Sequence, residues 1–164
     1  MVKKFTASRK QLKPDTRFNS LLISKFVNCL MYDGKKTAST RVVYDCFDII
    51  QAKLAKETNP EAPKEAIQVF QLAIENVKPF VEVRSKRIGG ANYQVPMQVN
   101  KKRQQSLAFR WIIDACRGER GRPMGQRLAD ELYAAAQGEG KAMQTRDQTH
   151  RMAEANRAFA HFAN

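Results

Sequence analysis

The sequence predicts a mainly α fold: a six-helix domain from which a two-stranded antiparallel β-ribbon protrudes between the third and fourth helices. Three observations carry this. Apolar residues recur at three- and four-residue spacing in successive segments, the mark of helices with one buried face. One stretch, Phe80 to Val99, alternates instead. Glycine and proline punctuate the junctions, at Asp33-Gly34, Asn59-Pro60, Pro63, Pro79, Gly118 to Gly121, and Gly138 with Gly140.

Taken in order, residues 1–19 form a basic N-terminal arm, with Lys3, Lys4, Arg9, Lys10, Lys13 and Arg17 against one acid, Asp15. Such a run, with little periodicity, reads as an arm that orders on nucleic acid. Residues 20–164 read as a single domain. The first helix begins after Ser20, with Leu22, Phe26, Cys29 and Leu30 as its stripe and Ile23 and Val27 widening it. Asp33-Gly34 is expected to stop it, Gly34 taking the positive φ of a helix end. Lys35 and Lys36 follow in the link to a second helix, whose stripe is Val43, Phe47, Ile50 and Leu54. Pro60 or Pro63 suits the first turn of a third helix, which shows Ile67, Phe70, Ile74 and Val77 on one face before Pro79 ends it.

In the ribbon, residues 80–99, Val81, Val83, Tyr93, Val95, Met97 and Val99 fall on one parity, and Glu82, Arg84, Lys86, Gln94 and Gln98 on the other. That is the pattern of one apolar and one polar face. Cross-strand partners must share a face, so Val83 is expected opposite Met97 and Ser85 opposite Val95. This register leaves a three-residue loop, Gly89 to Ala91; a two-residue loop would set Val83 against Pro96. The polar face and tip carry Arg84, Lys86 and Arg87 against Glu82. A lone hairpin is marginal in water, so it must lean on helices or on a partner.

Asn100 is expected to cap a fourth helix with Leu107, Trp111 and Ala115 on its face and Ala108 and Ile112 alongside. Lys101, Lys102 and Arg103 in its first turn have the wrong sign for a helix N-terminus and cost a few tenths of a kcal/mol each. A phosphate backbone would favour them. The link from Arg117 to Pro123 carries Arg117, Arg120 and Arg122. Gly118, Gly121 and Gly125 match no nucleotide fingerprint and read as turn residues. A fifth helix follows with Met124, Leu128, Leu132 and Ala135. The last helix, from about Lys141 to Asn156, carries Lys141, Arg146, Arg151 and Arg157 and almost no apolar stripe. Its charged face is expected to meet an external surface.

The 164 residues hold 29 Lys plus Arg against 16 Asp plus Glu, a net charge of +13, which argues for a polyanionic partner. Nucleic acid is favoured over an anionic membrane surface. No apolar run approaches the ~20 residues of a membrane span, and no secretory signal is apparent. Cys29, Cys46 and Cys116 are odd in number and far apart, so neither a disulfide framework nor a zinc site is expected. Cys29 and Cys46 are expected buried, in a reduced, cytosol-like compartment. His150 lies three residues after Asp147, but no nucleophile motif accompanies it and it reads as a surface histidine. The acids form no two-metal cluster; Asp130-Glu131 reads as a helix-surface pair. Trp111 is expected in the core, while Tyr93 is divided between core and base stacking. No catalysis, metal or cofactor is expected. Two other readings stand beside RNA binding: a β-arm DNA-architectural protein with Ile88 as its wedge, and an RNA-processing enzyme using His150.

Several quoted runs follow one another in a recognisable order: Leu12-Lys-Pro-Asp15, Phe26-Val-Asn, Met31-Tyr-Asp-Gly-Lys-Lys36, Val81-Glu-Val-Arg-Ser-Lys-Arg-Ile-Gly-Gly90, Tyr93-Gln-Val-Pro96, Arg110-Trp-Ile, and His150-Arg-Met-Ala-Glu-Ala-Asn156 with Ala158-Phe-Ala-His161. From about Leu12 to His161 the chain closely resembles the small-subunit ribosomal proteins of the S-seven family, bacterial type. It departs in two loops: Glu57 to Pro63 is longer than the family's usual link, and Gly118 to Gly125 is richer in Arg and Gly. The resemblance implies the six-helix fold with its ribbon and a primary binder of the 3′ major domain of small-subunit ribosomal RNA, which starts assembly of the subunit head. It implies that the ribbon reaches the exit site near messenger and transfer RNA, with proteins of the S-nine and S-eleven families as neighbours. It also implies a cytoplasmic, ribosomal location, bacterial or organelle-encoded. The RNA-binding residues expected are Lys3, Lys4, Arg9 and Lys10 in the arm, Lys35 and Lys36 in the first link, and Arg84, Lys86, Arg87, Gly89, Gly90 and Tyr93 in the ribbon. To these are added Lys101, Lys102, Arg103 and Arg110 on the fourth helix, Arg117, Arg120 and Arg122 in the second link, and Arg146, His150 and Arg151 on the last helix.

Overall fold

Each helical periodicity became a helix: α1 Leu21–Leu30, α2 Lys36–Leu54, α3 Ala66–Val77, α4 Lys101–Gly118, α5 Met124–Ala136 and α6 Lys141–Ala155. Between α3 and α4 lie β1 Val81–Ile88 and β2 Ala91–Gln98, and a 3-10 helix, Arg157–Ala163, follows α6. The computed structural model describes residues 12–56 and 63–163. Lys3, Lys4, Arg9, Lys10 and Pro60 lie outside them.

The core is built on an edge-to-face chain of phenylalanines. Phe26 of α1 lies 5.3 Å from Phe70 of α3 and 5.3 Å from Phe109 of α4, and Phe47 of α2 lies 5.5 Å from Phe70. Such pairs each contribute about 0.5–1.5 kcal/mol beyond their buried area. Val43, Ile50, Ile112, Leu128 and Leu132 close around them with no exposed surface. Asp15 accepts from the Tyr44 hydroxyl at 2.9 Å and Phe18 packs edge-on to Phe47 at 5.0 Å, so the end of the N-terminal stretch is docked on α2.

Several expectations are corrected here. The buried face of α1 is Ile23, Phe26, Val27 and Leu30; Leu22 is half-buried and Cys29 exposed. In so apolar a helix two neighbouring stripes compete, Leu22 with Cys29 and Ile23 with Val27, and the second turns to the core. α1 ends at Leu30, before Gly34. Asp33 and Gly34, with φ of 51° and 72°, form instead a tight turn closed by the Lys35 amide donating to the Tyr32 carbonyl at 2.8 Å. No proline enters α3. Its first amide, at Ala66, donates to Oε1 of Gln51 on α2 at 3.1 Å. On α4, Phe109 rather than half-buried Trp111 fills the centre. Gly125 is no turn residue: it is buried in α5, where a Cβ would lie 3.3 Å from Asp45 Cβ and 3.4 Å from the Val42 carbonyl. Its lack of a side chain sets how closely α2 and α5 cross.

The ribbon's register differs too. Val83 opposes Pro96 and Arg84 opposes Val95, joined by a two-residue turn at Gly89 and Gly90 with φ of 57° and 90°. Paired glycines at positive φ give a turn whose twist matches that of the strands, and this overrides the side-chain alternation. Glu82, Arg84, Lys86, Tyr93, Val95 and Met97 therefore share one face. Glu82 is only 8% exposed, while Val81 and Val83 are half-buried on the other face.

The covered face leans on the end of the chain. Tyr93 packs 5.2 Å from Phe159 and 5.5 Å from Phe162, Lys86 Nζ donates to the Phe162 carbonyl at 2.8 Å, and the Phe80 amide donates to His150 Nε2 at 3.2 Å. The helix providing this support is itself fastened. Glu131, read from sequence as a surface residue, is 9% exposed, and its Oε1 accepts from the Ala142 amide at 2.7 Å at the start of α6. A carboxylate there meets the positive end of the helix dipole. Arg146 adds a bond to the Asn76 carbonyl at 2.5 Å, and Asn76 in turn donates to the Ala135 and Ala136 carbonyls.

Candidate nucleic-acid interface

The cations divide into those the fold consumes and those it leaves open. Glu82 Oε1 holds Arg84 at 2.6 Å and its Oε2 holds Arg103 Nε at 3.1 Å, tying the ribbon's base to the start of α4. Arg117 donates to the Leu30 carbonyl at 3.1 Å and lies 4.1 Å over the Tyr32 ring. Arg122 pairs with Asp130 at 2.6 Å and Glu119 at 3.2 Å, and Arg146 with Asp147 at 2.6 Å. Arg84 and Arg122 remain half-exposed, and pairs of that kind are worth ~1 kcal/mol or less, so a phosphate can compete for them.

Lys36, Arg87, Lys101, Lys102, Arg110, Arg120 and Arg151 are exposed, and none has a carboxylate within ion-pairing distance among the described residues. Asn100 caps α4 as expected, accepting from the Arg103 amide at 2.9 Å, which leaves Lys101 and Lys102 in the first turn without a carboxylate. Lys102, Ser106, Arg110 and Asp114 recur at four-residue spacing along the exposed side of α4. Arg117 joins the last turn of α4 to the α1–α2 link. Lys35 and Lys36 thus lie toward the opposite end of α4 from Lys101, about 24 Å away by helix rise. The basic surface has two ends, with Arg110 between them.

Beside Lys36 is an open hollow of ≈ 580 Å³ of mixed charge, lined by Arg17, Thr37, Thr40, Arg41 and Tyr44 and by the acids Asp45 and Asp48, the latter paired with Arg17. Arg41 was missed in the sequence because a lone arginine on the outer face of a helix looks like any solvated residue. Its place one turn beyond Lys36 and Thr37 was the available signal.

At the ribbon tip, Arg87, Gly89 and Gly90 are exposed, whereas Tyr93 is half-buried against the two phenylalanines. His150 fastens α6 to the ribbon through its accepting nitrogen and stacks 6.1 Å from Phe80. Burial, then the charge of Arg146, holds its pKa below the ordinary 6.5, with Asp147 opposing. A neutral ring with Nε2 already accepting a backbone amide is a structural fastener. Among the described residues no group of three or more His, Cys, Asp or Glu could hold a metal ion, and no helix is long and apolar enough to cross a membrane.

Comparison with known proteins gives one result. The sequence model of the family described as "Ribosomal protein S7p/S5e" matches residues 2–157. The small ribosomal subunit protein uS7 of Rhodopirellula baltica is 58% identical over 160 residues, covering 98% of each chain. Those of Thermotoga neapolitana and Methylocella silvestris are each 48% identical, covering 95% and 99% of this chain and 96% and 99% of their own. The family is one of structural proteins rather than enzymes. On a match that spans nearly its whole length, the chain belongs to the ribosomal protein S7p/S5e family.

Proposed function

We propose that the chain is a structural constituent of the small ribosomal subunit that binds the 3′ major domain of its ribosomal RNA and nucleates assembly of the head. The observation that carries this is the set of exposed cations without carboxylate partners at both ends of α4 and at the ribbon tip. A folded protein gains nothing from Lys101 and Lys102 at a positive dipole end; a phosphate backbone gives them a counter-charge. On this reading residues 20–164 are one RNA-binding domain with the ribbon as its arm, and residues 1–19 are a further basic arm. The ribbon reaches the exit site, near messenger and transfer RNA, beside neighbours of the S-nine and S-eleven families. The protein works inside the ribosome, in the cytoplasm of a bacterium or as an organelle-encoded chain.

Two variants test this. Lys101→Gln with Lys102→Gln should flatten the dependence of log K on log salt by roughly 0.7–0.9 for each phosphate no longer neutralised; an unchanged slope counts against the role of α4. Replacing Arg87–Asn92 by an Asn-Gly turn keeps Lys86 opposite Tyr93. It should change stability by no more than about 1–2 kcal/mol and leave affinity for head-domain RNA largely intact, while retention of transfer RNA at the exit site falls. A collapse of head-RNA affinity would instead make the ribbon an assembly clamp.

A further inference from the structure

Tyr32 is an anomaly. It is 64% exposed, yet it is held in place from two sides. Its backbone is locked in the turn that Asp33 and Gly34 make at positive φ, closed from the Lys35 amide to the Tyr32 carbonyl and followed by a Lys36 amide bond to the Gly34 carbonyl at 2.8 Å. Its ring has one face against the Arg117 guanidinium, 4.1 Å away, and that guanidinium is anchored independently on the Leu30 carbonyl. The other face meets solvent. The ends of such a turn lie within about 7 Å of each other, which brings the Lys35 backbone beside that of Tyr32, and Lys36 follows at the start of α2. Among the described residues, Asp33, exposed and 3.9 Å away, is the one carboxylate within ion-pairing distance of Lys35, and Lys36 has none.

We propose that the Arg117-backed ring of Tyr32 is a stacking platform for one unpaired RNA base, with Lys35 and Lys36 on the adjoining phosphates. An open aromatic face beside cations is the arrangement by which proteins hold single-stranded nucleotides. The guanidinium beneath keeps the ring flat to the solvent and pre-organised. Bases inside a duplex present no face to such a platform, so the ligand is an unpaired nucleotide of a loop, bulge or junction. This deepens the ribosomal-RNA reading and rests on it.

The test uses the full chain and an RNA of the small-subunit 3′ major domain, with Tyr32→Leu, Tyr32→Phe and Lys36→Gln. Tyr32→Leu should weaken binding roughly 5- to 100-fold without altering the salt slope, and Tyr32→Phe should bind nearly as wild type. Lys36→Gln should flatten the slope. Ultraviolet cross-linking of the wild-type complex should yield a peptide joined to an unpaired base at Tyr32. Thermal melting of each free variant separates loss of the platform from loss of the fold, and if Tyr32→Leu melts early the cross-link decides. Wild-type binding that survives Tyr32→Leu unchanged, with no adduct at Tyr32, overturns the platform alone. A wild-type chain that does not bind this RNA overturns the platform and the ribosomal-RNA reading together.

Discussion

Glu82→Gln is the perturbation that most directly couples stability to binding. The carboxylate side chain is 11% exposed and holds Arg84 at 2.6 Å and Arg103 at 3.1 Å, whose own side chains are 54% and 39% exposed. Charge-assisted bonds contribute about 1.5–3 kcal/mol each when both partners are desolvated. Here the arginines regain water, so each interaction is discounted toward the ~0.2–1 kcal/mol of a surface pair. Glutamine keeps the volume and one acceptor, so the expected loss is about 1–2 kcal/mol. For a domain of this size that is roughly 2–4 °C per kcal/mol in Tm. The same change adds one unit of positive charge and releases two arginines at the junction of the ribbon and α4. RNA binding at low salt should therefore tighten, with a salt slope steeper by roughly 0.7–0.9 for each arginine that takes up a phosphate. Calorimetric melting and filter binding over a salt series measure both. A variant that is as stable as wild type, or less stable with a flatter salt slope, would refute the reasoning; the latter would mean that Glu82 aims the arginines rather than restraining them.

Three further outcomes follow from the packing. Because His150 is held neutral in the folded chain, the stability it contributes is complete above 6.5 and is lost as pH falls from there through its lowered folded value; His150→Asn should flatten the Tm profile in that window, and an identical profile would contradict the Phe80 bond. Cys29, exposed though its partly desolvated thiol sits above the ordinary 9.0, should alkylate first, while Cys46 and Cys116, the latter pushed up to about 12 chiefly by burial, should react only on unfolding. Gly125→Ala should destabilise despite a helix-propensity gain of ~1 kcal/mol, because the added methyl meets α2 at Val42 and Asp45; a higher Tm would show that the two helices can part freely.

The faces of α2 and α5 were legible because burial and periodicity are the same constraint, whereas α1 and α4, apolar on more than one side, left theirs open. Val43, Phe47, Ile50 and Leu54 fall together on α2, and Asn100 declares its cap by type and position. The ribbon's existence was legible but its register was not. Two successive glycines favour a two-residue turn strongly enough to place Glu82 inside and Val83 half out, against the alternation of apolar residues. Glu82 and Glu131 read as surface acids because their partners, Arg103 and the Ala142 amide, lie 21 and 11 residues away. Total charge announced the basic surface, and the sign of Lys101 and Lys102 at a helix N-terminus pointed to one part of it. Nothing local distinguishes Arg117 and Arg146, spent on backbone carbonyls, from Arg110 and Arg120, left open. That distinction is made by the fold.

Competition binding tests the central claim most directly. The purified chain is bound to a folded RNA of the small-subunit 3′ major domain at physiological salt, and unlabelled duplex DNA or the same RNA is added as competitor. If the open cations of α4, the first link and the ribbon form a surface fitted to a folded RNA junction, the RNA should compete far better than duplex DNA at equal salt, and the gap should persist as salt rises and non-specific attraction is screened. Equal competition by the two, converging further with salt, would reduce the surface to general polyanion binding and contradict the account.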